Sequence, residues 1–76
     1  MPEHKPPPLF VRDWREAKGL RNIDLAAALG VSAQQLTQWE SGFRTPSRQA
    51  QAAIAAALGV AYLDLYREPT VKDRKR

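Results

Sequence analysis

GVSAQQLTQWESG, residues 30–42, carries the start and stop signals of one short helix. Ser32 is a good N-cap, and Gln35 three residues later completes a Ser-x-x-Gln capping box. Val31 before the cap and Leu36 after it stand at the spacing of a hydrophobic staple, which fixes the angle of the incoming chain. Leu36 and Trp39 are three apart and share one face. Ala33, Gln34, Thr37 and Gln38 project elsewhere, so the exposed face is uncharged, small and rich in amides. A carboxamide donates and accepts at once, which is what reading an adenine edge in a major groove requires. Glutamine is equally a common helix former on a solvated face. Periodicity reports burial and not reading, so this stretch alone leaves both open.

The neighbours narrow the choice. A second helix is expected over Asn22–Leu29, with Leu25, Ala26 and Leu29 as its buried stripe. Asp24 suits the positive end of its dipole, Asn22 has the chemistry of a cap, and Ile23 is left exposed. Only Gly30, Val31 and Ser32 separate this helix from the next. So short a link forces a tight, angled pair, the geometry of a helix-turn-helix. Ala26 is small enough to let the two helices approach closely.

A first helix is expected over Leu9–Lys18, with Phe10, Val11 and Trp14 on one side. Gly19 ends it. All four glycines, Gly19, Gly30, Gly42 and Gly59, fall just past an expected helix, where a left-handed residue is wanted. No stretch alternates with period two, so the chain reads as all-helical. A fourth helix begins after Arg44, with Thr45 as cap and Pro46 at the first helical position, and runs to Leu58. Its alanine-rich body (AQAAIAAAL) favours the helix but buries little area beyond Ile54 and Leu58. A last short helix over residues 61–66 offers Tyr62, Leu63, Leu65 and Tyr66. Four large side chains in five positions cannot all face one small core. Some face a second subunit, or they lie along the surface of a monomer.

Seventy-six residues make one small domain. Such a body buries only ~60% of its unfolded surface, so a partner surface is a fair expectation. There is no cysteine, hence no disulfide framework and no thiolate metal site. The single His4 sits in a proline-rich start, PEHKPPP, with no ligand partners nearby. No apolar run approaches the ~20 residues needed to cross a bilayer, and no signal peptide is visible. The chain is expected to be soluble and cytoplasmic. Its net charge of +4 is uneven: residues 9–68 carry seven Lys/Arg against six Asp/Glu, residues 1–8 are neutral, and the remaining +3 lies in the last five residues. That basic end either adds phosphate contacts or solubilises the chain. The organisation expected is a flexible Pro-rich lead over residues 1–8, a folded domain over 9–66, and a basic, disordered tail over 67–76.

Leu25, Ala26, Leu29, Gly30, Val31, Leu36 and Trp39 together resemble the phage-repressor helix-turn-helix superfamily, the Cro/C1 or XRE type. The wider frame is similar too: Arg15-x-x-x-Gly19-Leu20, Trp39-Glu40-Ser41-Gly42, Arg44-x-Pro46, and Ala57-Leu58-Gly59-Val60. The resemblance spans about residues 9–66, and several motifs in order and spacing make it specific. It implies a compact five-helix, lambda-repressor-like domain with the recognition helix at 32–40. That helix would enter the major groove of double-stranded DNA, usually as a homodimer on a two-fold operator.

Position by position, the resemblance places Ala33, Gln34 and Gln38 at base-facing sites, with Gln35 beside them and divided between cap and contact. Asn22, Thr37, Ser41, Arg44 and Arg48 become phosphate contacts, Thr37 also a base candidate. Asn22 stands where relatives commonly have Gln and is one methylene shorter, which puts its bracing of the recognition helix in question. Arg15 and Glu40 match a pair that bridges helix 1 to the end of helix 3. Tyr62, Leu63 and Tyr66 become the dimer interface. Arg48 and Gln51 replace the leucines more usual in helix 4, so packing there is expected to weaken or reorient. Arg48 either reaches phosphate or covers the core with its stem.

The function expected is a sequence-specific transcriptional regulator. The alternative is a protein-interaction module of the same fold, an antitoxin-like or co-regulator partner. The chain offers no His/Cys cluster, no nucleophile–base set and no phosphate loop, so no enzyme, cofactor, metal site or small-molecule ligand is expected.

Overall fold

The computed structural model describes residues 9–74. Four α-helices follow one another: α1 (Val11–Ala17), α2 (Asn22–Leu29), α3 (Ala33–Ser41) and α4 (Arg48–Leu58). Two 3-10 turns close the described chain, at Tyr62–Tyr66 and Val71–Asp73. The fifth helix expected from the sequence is therefore the first of these 3-10 turns and not an α-helix. Its start is capped as that of α2 is: the Asp64 carboxylate accepts from the Ala61 N–H at 3.0 Å, while the Asp64 N–H donates to the Ala61 carbonyl at 2.9 Å. Residues 61–64 are thereby closed as a single i to i+3 turn. Among the described residues no helix is long and apolar enough to cross a membrane.

One apolar cluster holds the elements together. Val11 and Trp14 of α1, Leu25 and Ala26 of α2, Leu36 of α3, Ile54, Ala55 and Leu58 of α4, and Leu65 all meet in it. α2 packs on both α3 and α4, α4 carries the 3-10 turn, and α1 lies against α3 and α4. Leu29 and Trp39 border the core, half-buried, while Ile23 stays exposed. The alanines of α4 do contribute, since Ala55 is buried beside Ile54.

The starts of α1 and α4 and the cap of α2 differ from the sequence expectation. α1 starts at Val11 and not Leu9: Phe10 is the residue before the helix, with φ −105° and ψ 42°, and its N–H donates to the Leu65 carbonyl at 2.8 Å. The chain thus runs beside the C-terminal segment before it turns into the helix. α4 starts at Arg48, with Ser47 as the cap whose hydroxyl accepts from the Ala50 N–H at 3.1 Å. The Thr45 cap with Pro46 at the first helical position is not formed. Buried Pro46 instead lies ahead of the helix, its carbonyl accepting from Gln51 Nε2 at 3.0 Å. α2 is preceded by Arg21 as its cap residue, and Asn22 lies inside the helix. The Asp24 carboxylate satisfies the Arg21 N–H at 3.2 Å, so the helix start is served from the third helical position.

The segment after residue 66, expected to be a disordered tail, carries bonds of its own through residue 74. Arg67 Nε donates to Asp64 Oδ1 at 3.0 Å, and its Nη1 donates to Asp73 Oδ2 at 3.2 Å. The guanidinium lies 4.9 Å from the centre of the Trp14 ring. The Thr70 backbone and hydroxyl both donate to Asp73, and with Arg67 they hold its carboxyl below the usual carboxylate range. The Pro-rich lead over residues 1–8, and the last two residues of the basic end, lie outside the described residues.

Candidate nucleic-acid interface

α3 is held from three directions. At its start Ser32 caps it: the backbone is extended and the hydroxyl accepts from the Gln35 N–H at 3.0 Å. The reciprocal bond from the Gln35 side chain is not made, so only half of the capping box exists and the Gln35 amide is not spent on it. The helix accordingly runs over Ala33–Ser41, one residue later at each end than the 32–40 expected. Before it, Gly30 takes a left-handed φ of 73°, and the Val31 N–H closes back on the Ala26 carbonyl at 3.0 Å. A Cβ at Gly30 would meet nothing within 4 Å, so the glycine is there for its backbone angle and not for space.

On its flank, Asn22 Nδ2 donates to Thr37 Oγ1 at 3.3 Å. The shorter side chain therefore does span α2 and α3, at the expense of one donor on Asn22 and one acceptor on Thr37. At its far end Glu40 is tied to Arg15, with Nε to Oε2 at 2.7 Å and Nη2 to Oε1 at 3.3 Å. Arg15 also donates to the Leu20 carbonyl at 2.9 Å, and Arg12 adds a longer approach to Glu40 at 3.8 Å. The Glu40 side chain is 2% exposed and that of Arg15 12%. This paired, shielded geometry joins α1, the α1–α2 link and α3 in one network.

What α3 presents is correspondingly plain. Gln34 and Thr37 are exposed, and Ala33, Gln35 and Gln38 half-buried. Leu36 is fully buried and Trp39 half-buried, so both belong to the scaffold. After the helix, Gly42 turns the chain with φ 84°. The Ser41 hydroxyl donates to the Gln38 carbonyl at 3.3 Å and accepts from the Phe43 N–H at 3.4 Å, so it is engaged within the loop. The Arg44 N–H donates to the same Gln38 carbonyl at 3.1 Å, while its side chain is exposed. Arg48 is exposed at the start of α4. Arg21 is exposed too, but paired with Asp24 at 2.9 Å, which raises the arginine and lowers the carboxyl from their ordinary values.

The surface around Tyr62, Leu63 and Tyr66 is built differently from the expectation. Leu63 is 74% exposed, whereas both tyrosines are half-buried and turn their hydroxyls inward. Each donates to Gln51 Oε1, Tyr66 at 2.5 Å and Tyr62 at 3.0 Å, and Gln51 Nε2 donates to the Pro46 carbonyl at 3.0 Å. Gln51 is thus buried and satisfied at both ends of its amide. On this side α4 meets Pro46 and the two tyrosines through hydrogen bonds to a buried amide. The neighbouring Tyr62 hydroxyl and burial hold the Tyr66 phenol above its ordinary value, against the opposite pull of Arg48 and Gln51. A shallow groove, lined by Arg48, Gln49, Ala52, Tyr62, Leu63 and Tyr66, opens on this side.

Sequence reasoning missed Phe43, 75% exposed in the loop that follows α3. Its only signal was an apolar residue between a helix-ending glycine and an arginine, outside any periodic stripe.

A packed α2–α3 pair joined by a three-residue turn, with α3 braced at both ends and a polar face left open, defines a helix-turn-helix protein. A family model described as helix-turn-helix matches residues 11–65, and the chain belongs to that family, in its Cro/C1 or XRE type. Solved structures agree. The clp gene regulator ClgR from C. glutamicum is 33% identical, with 72% of this chain and 71% of that one covered and a TM-score of 0.70. The N-terminal DNA-binding domain of SinR from Bacillus subtilis is 30% identical, covers 76% and 86%, and has a TM-score of 0.67. The DNA-binding domain of the P22 C2 repressor is 25% identical, covers 80% and 84%, and has a TM-score of 0.71. No curated protein matches the chain.

Proposed function

We propose that this protein is a sequence-specific transcriptional regulator that binds double-stranded DNA as a homodimer on a pseudo-palindromic operator, with α3 in the major groove. The observation that carries the reading is the bracing of α3 by the Ser32 cap, the Asn22–Thr37 bond and the Arg15–Glu40 bridge while Gln34 is left exposed. A helix held rigidly against its scaffold with an open amide is suited to bidentate adenine recognition. Ala33 offers a methyl for a thymine methyl, and Gln35 and Gln38 stand beside it. Arg44 and Arg48 supply charge for phosphate, with Asn22, Thr37 and Ser41 as neutral contacts whose internal bonds must be shared or exchanged. A relative of this fold, SinR, has been solved in complex with DNA, which supports the same use here. Such an activity belongs in the cytoplasm, at the nucleoid.

The two-fold partner would meet the Leu63 side, where Tyr62 and Tyr66 form the half-buried wall of the groove. Leu63 supplies the exposed apolar contact, and the tyrosines supply shape more than free hydroxyls. The same exposed leucine is what favours the second reading, a module that binds another protein; SinR has also been solved with SinI.

Binding measurements with a duplex selected from random DNA, and with a random duplex as control, test the reading. Gln34→Ala should lose about 1–3 kcal/mol on the selected duplex and little on the random one. If neither affinity nor base preference changes, Gln34 is not a reader. Arg44→Ala should weaken both duplexes and reduce the slope of log K against log salt by about one. An unaltered slope would remove Arg44 from the phosphate contacts.

A further inference from the structure

We propose that residues 67–73 form a strap that seats α1 and, through α1, sets the position of α3, with Arg67 as the positioning residue. The strap lies beyond residues 11–65, the span matched by the family model. Only the last step, from α3 to DNA, rests on the DNA-binding reading above.

The strap is anchored along its length. The Arg67 carbonyl accepts from the Trp14 indole N–H at 3.0 Å, and Pro69 is buried. The Asp73 carboxylate folds back to accept from the Thr70 N–H at 2.8 Å and from the Thr70 hydroxyl at 2.9 Å. The Arg67 side chain joins these anchors. Its Nε donates to Asp64 Oδ1 at 3.0 Å, and its Nη1 donates to Asp73 Oδ2 and to the Glu68 carbonyl, both at 3.2 Å. With the guanidinium 4.9 Å from the centre of the Trp14 ring, one cation ties two carboxylates to the indole.

α1 is the element this serves. Its 7 residues make about two turns, too few to hold a helix in place without outside bonds. On one side the Phe10 N–H reaches Leu65, and the Trp14 indole reaches Asp64 and Arg67. The very next residue, Arg15, holds Glu40 at the end of α3. A shift of α1 is therefore passed to α3 by the neighbour of the residue the strap holds. The strap is also the part most easily opened: the Arg67 side chain is 46% exposed, and exposed ion pairs hold weakly. Opening removes the Arg67 bonds but leaves Trp14 bonded to the Asp64 carbonyl, so α1 loosens while the core stays folded.

The test compares the full chain with Arg67→Ala, Arg67→Lys and Ile54→Val, the last a core variant that keeps every strap bond and serves as the stability control. Hydrogen exchange of the α1 amides and of the Arg15 Nε–H is followed by NMR, and binding to the selected and random duplexes is measured alongside. Arg67→Ala should quicken exchange in α1 and at Arg15 Nε about tenfold, as the loss of a charged hydrogen bond would, with α2 and α4 little changed. Arg67→Lys, which keeps a cation beside the ring, should recover part of the protection. Affinity of Arg67→Ala for the selected duplex should fall severalfold with base preference unchanged. Unaltered exchange in α1 overturns the inference. So does quickening shared equally by α2 and α4, the pattern expected of Ile54→Val, since the role is then stability alone. Loosened α1 with a protected Arg15 Nε–H overturns the step to α3, and full affinity despite both losses overturns the step to DNA. If the parent chain binds neither duplex, the functional reading fails, while exchange in α1 and at Arg15 still decides the strap.

Discussion

Glu40→Ala should destabilise the domain by about 3–5 kcal/mol and lower its melting temperature by at least about 12 °C. The size follows from what is left behind. The Glu40 side chain is 2% exposed and its partner Arg15 12%, so removing the carboxylate strands a guanidinium that water barely reaches. Attraction within the pair is largely offset by the cost of drying both groups, which makes the intact bridge worth little net. Breaking it on one side is another matter. A domain of this size has only about 5–15 kcal/mol in all, so the variant approaches the unfolded state at physiological temperature. Thermal denaturation followed by circular dichroism measures it directly, and an unchanged curve would show the bridge to be unimportant. Replacing Arg15 and Glu40 together by apolar residues should restore much of the loss, because no charge is then stranded.

Trp14→Ala should cost a similar ~3–5 kcal/mol, the usual range for emptying a large aromatic site in a core. Trp14 is 1% exposed at the centre of the cluster, but volume is only half of its role. Its indole N–H is shared between the Asp64 carbonyl at 2.8 Å and the Arg67 carbonyl at 3.0 Å. It thereby clasps the end of the 3-10 turn to α1, while Phe10 makes a parallel bond to Leu65. Trp14→Phe separates the two roles. It keeps most of the ring and removes the donor, so a smaller loss of about 1–3 kcal/mol is expected. Hydrogen exchange at residues 62–67 should quicken at the same time. Full stability of Trp14→Phe, with protection there unaltered, would show that the clasp contributes nothing.

The helices were legible because their signals are local. Ser32, the αL glycines and the Leu25–Ala26–Leu29 spacing act within a turn or two of chain, and α2 appears with the bounds the pattern predicts. What escaped was decided by partners distant in sequence. Phe10, just before α1, gives its N–H to Leu65, and the Trp14 indole reaches Asp64 and Arg67. Gln51 itself, a departure from leucine, signalled packing that weakens or reorients; nothing in its own neighbourhood shows that Tyr62 and Tyr66 fold back to satisfy it. The candidate site divides in the same way. The amide face of α3 follows from periodicity, whereas the brace from Asn22 and the engagement of the Ser41 hydroxyl depend on geometry. Phe43 escaped because an aromatic residue in a loop carries no periodic signal at all.

On the proposed function, α3 reads a base sequence on behalf of a two-fold dimer. Selection of bound sequences from a random pool of double-stranded DNA tests it most directly. The expected result is an enriched palindrome whose half-sites lie one helical turn, about 10 base pairs, apart. Retention of random sequence with no enriched motif would contradict it, and would turn the exposed Leu63 side into evidence for a protein partner instead.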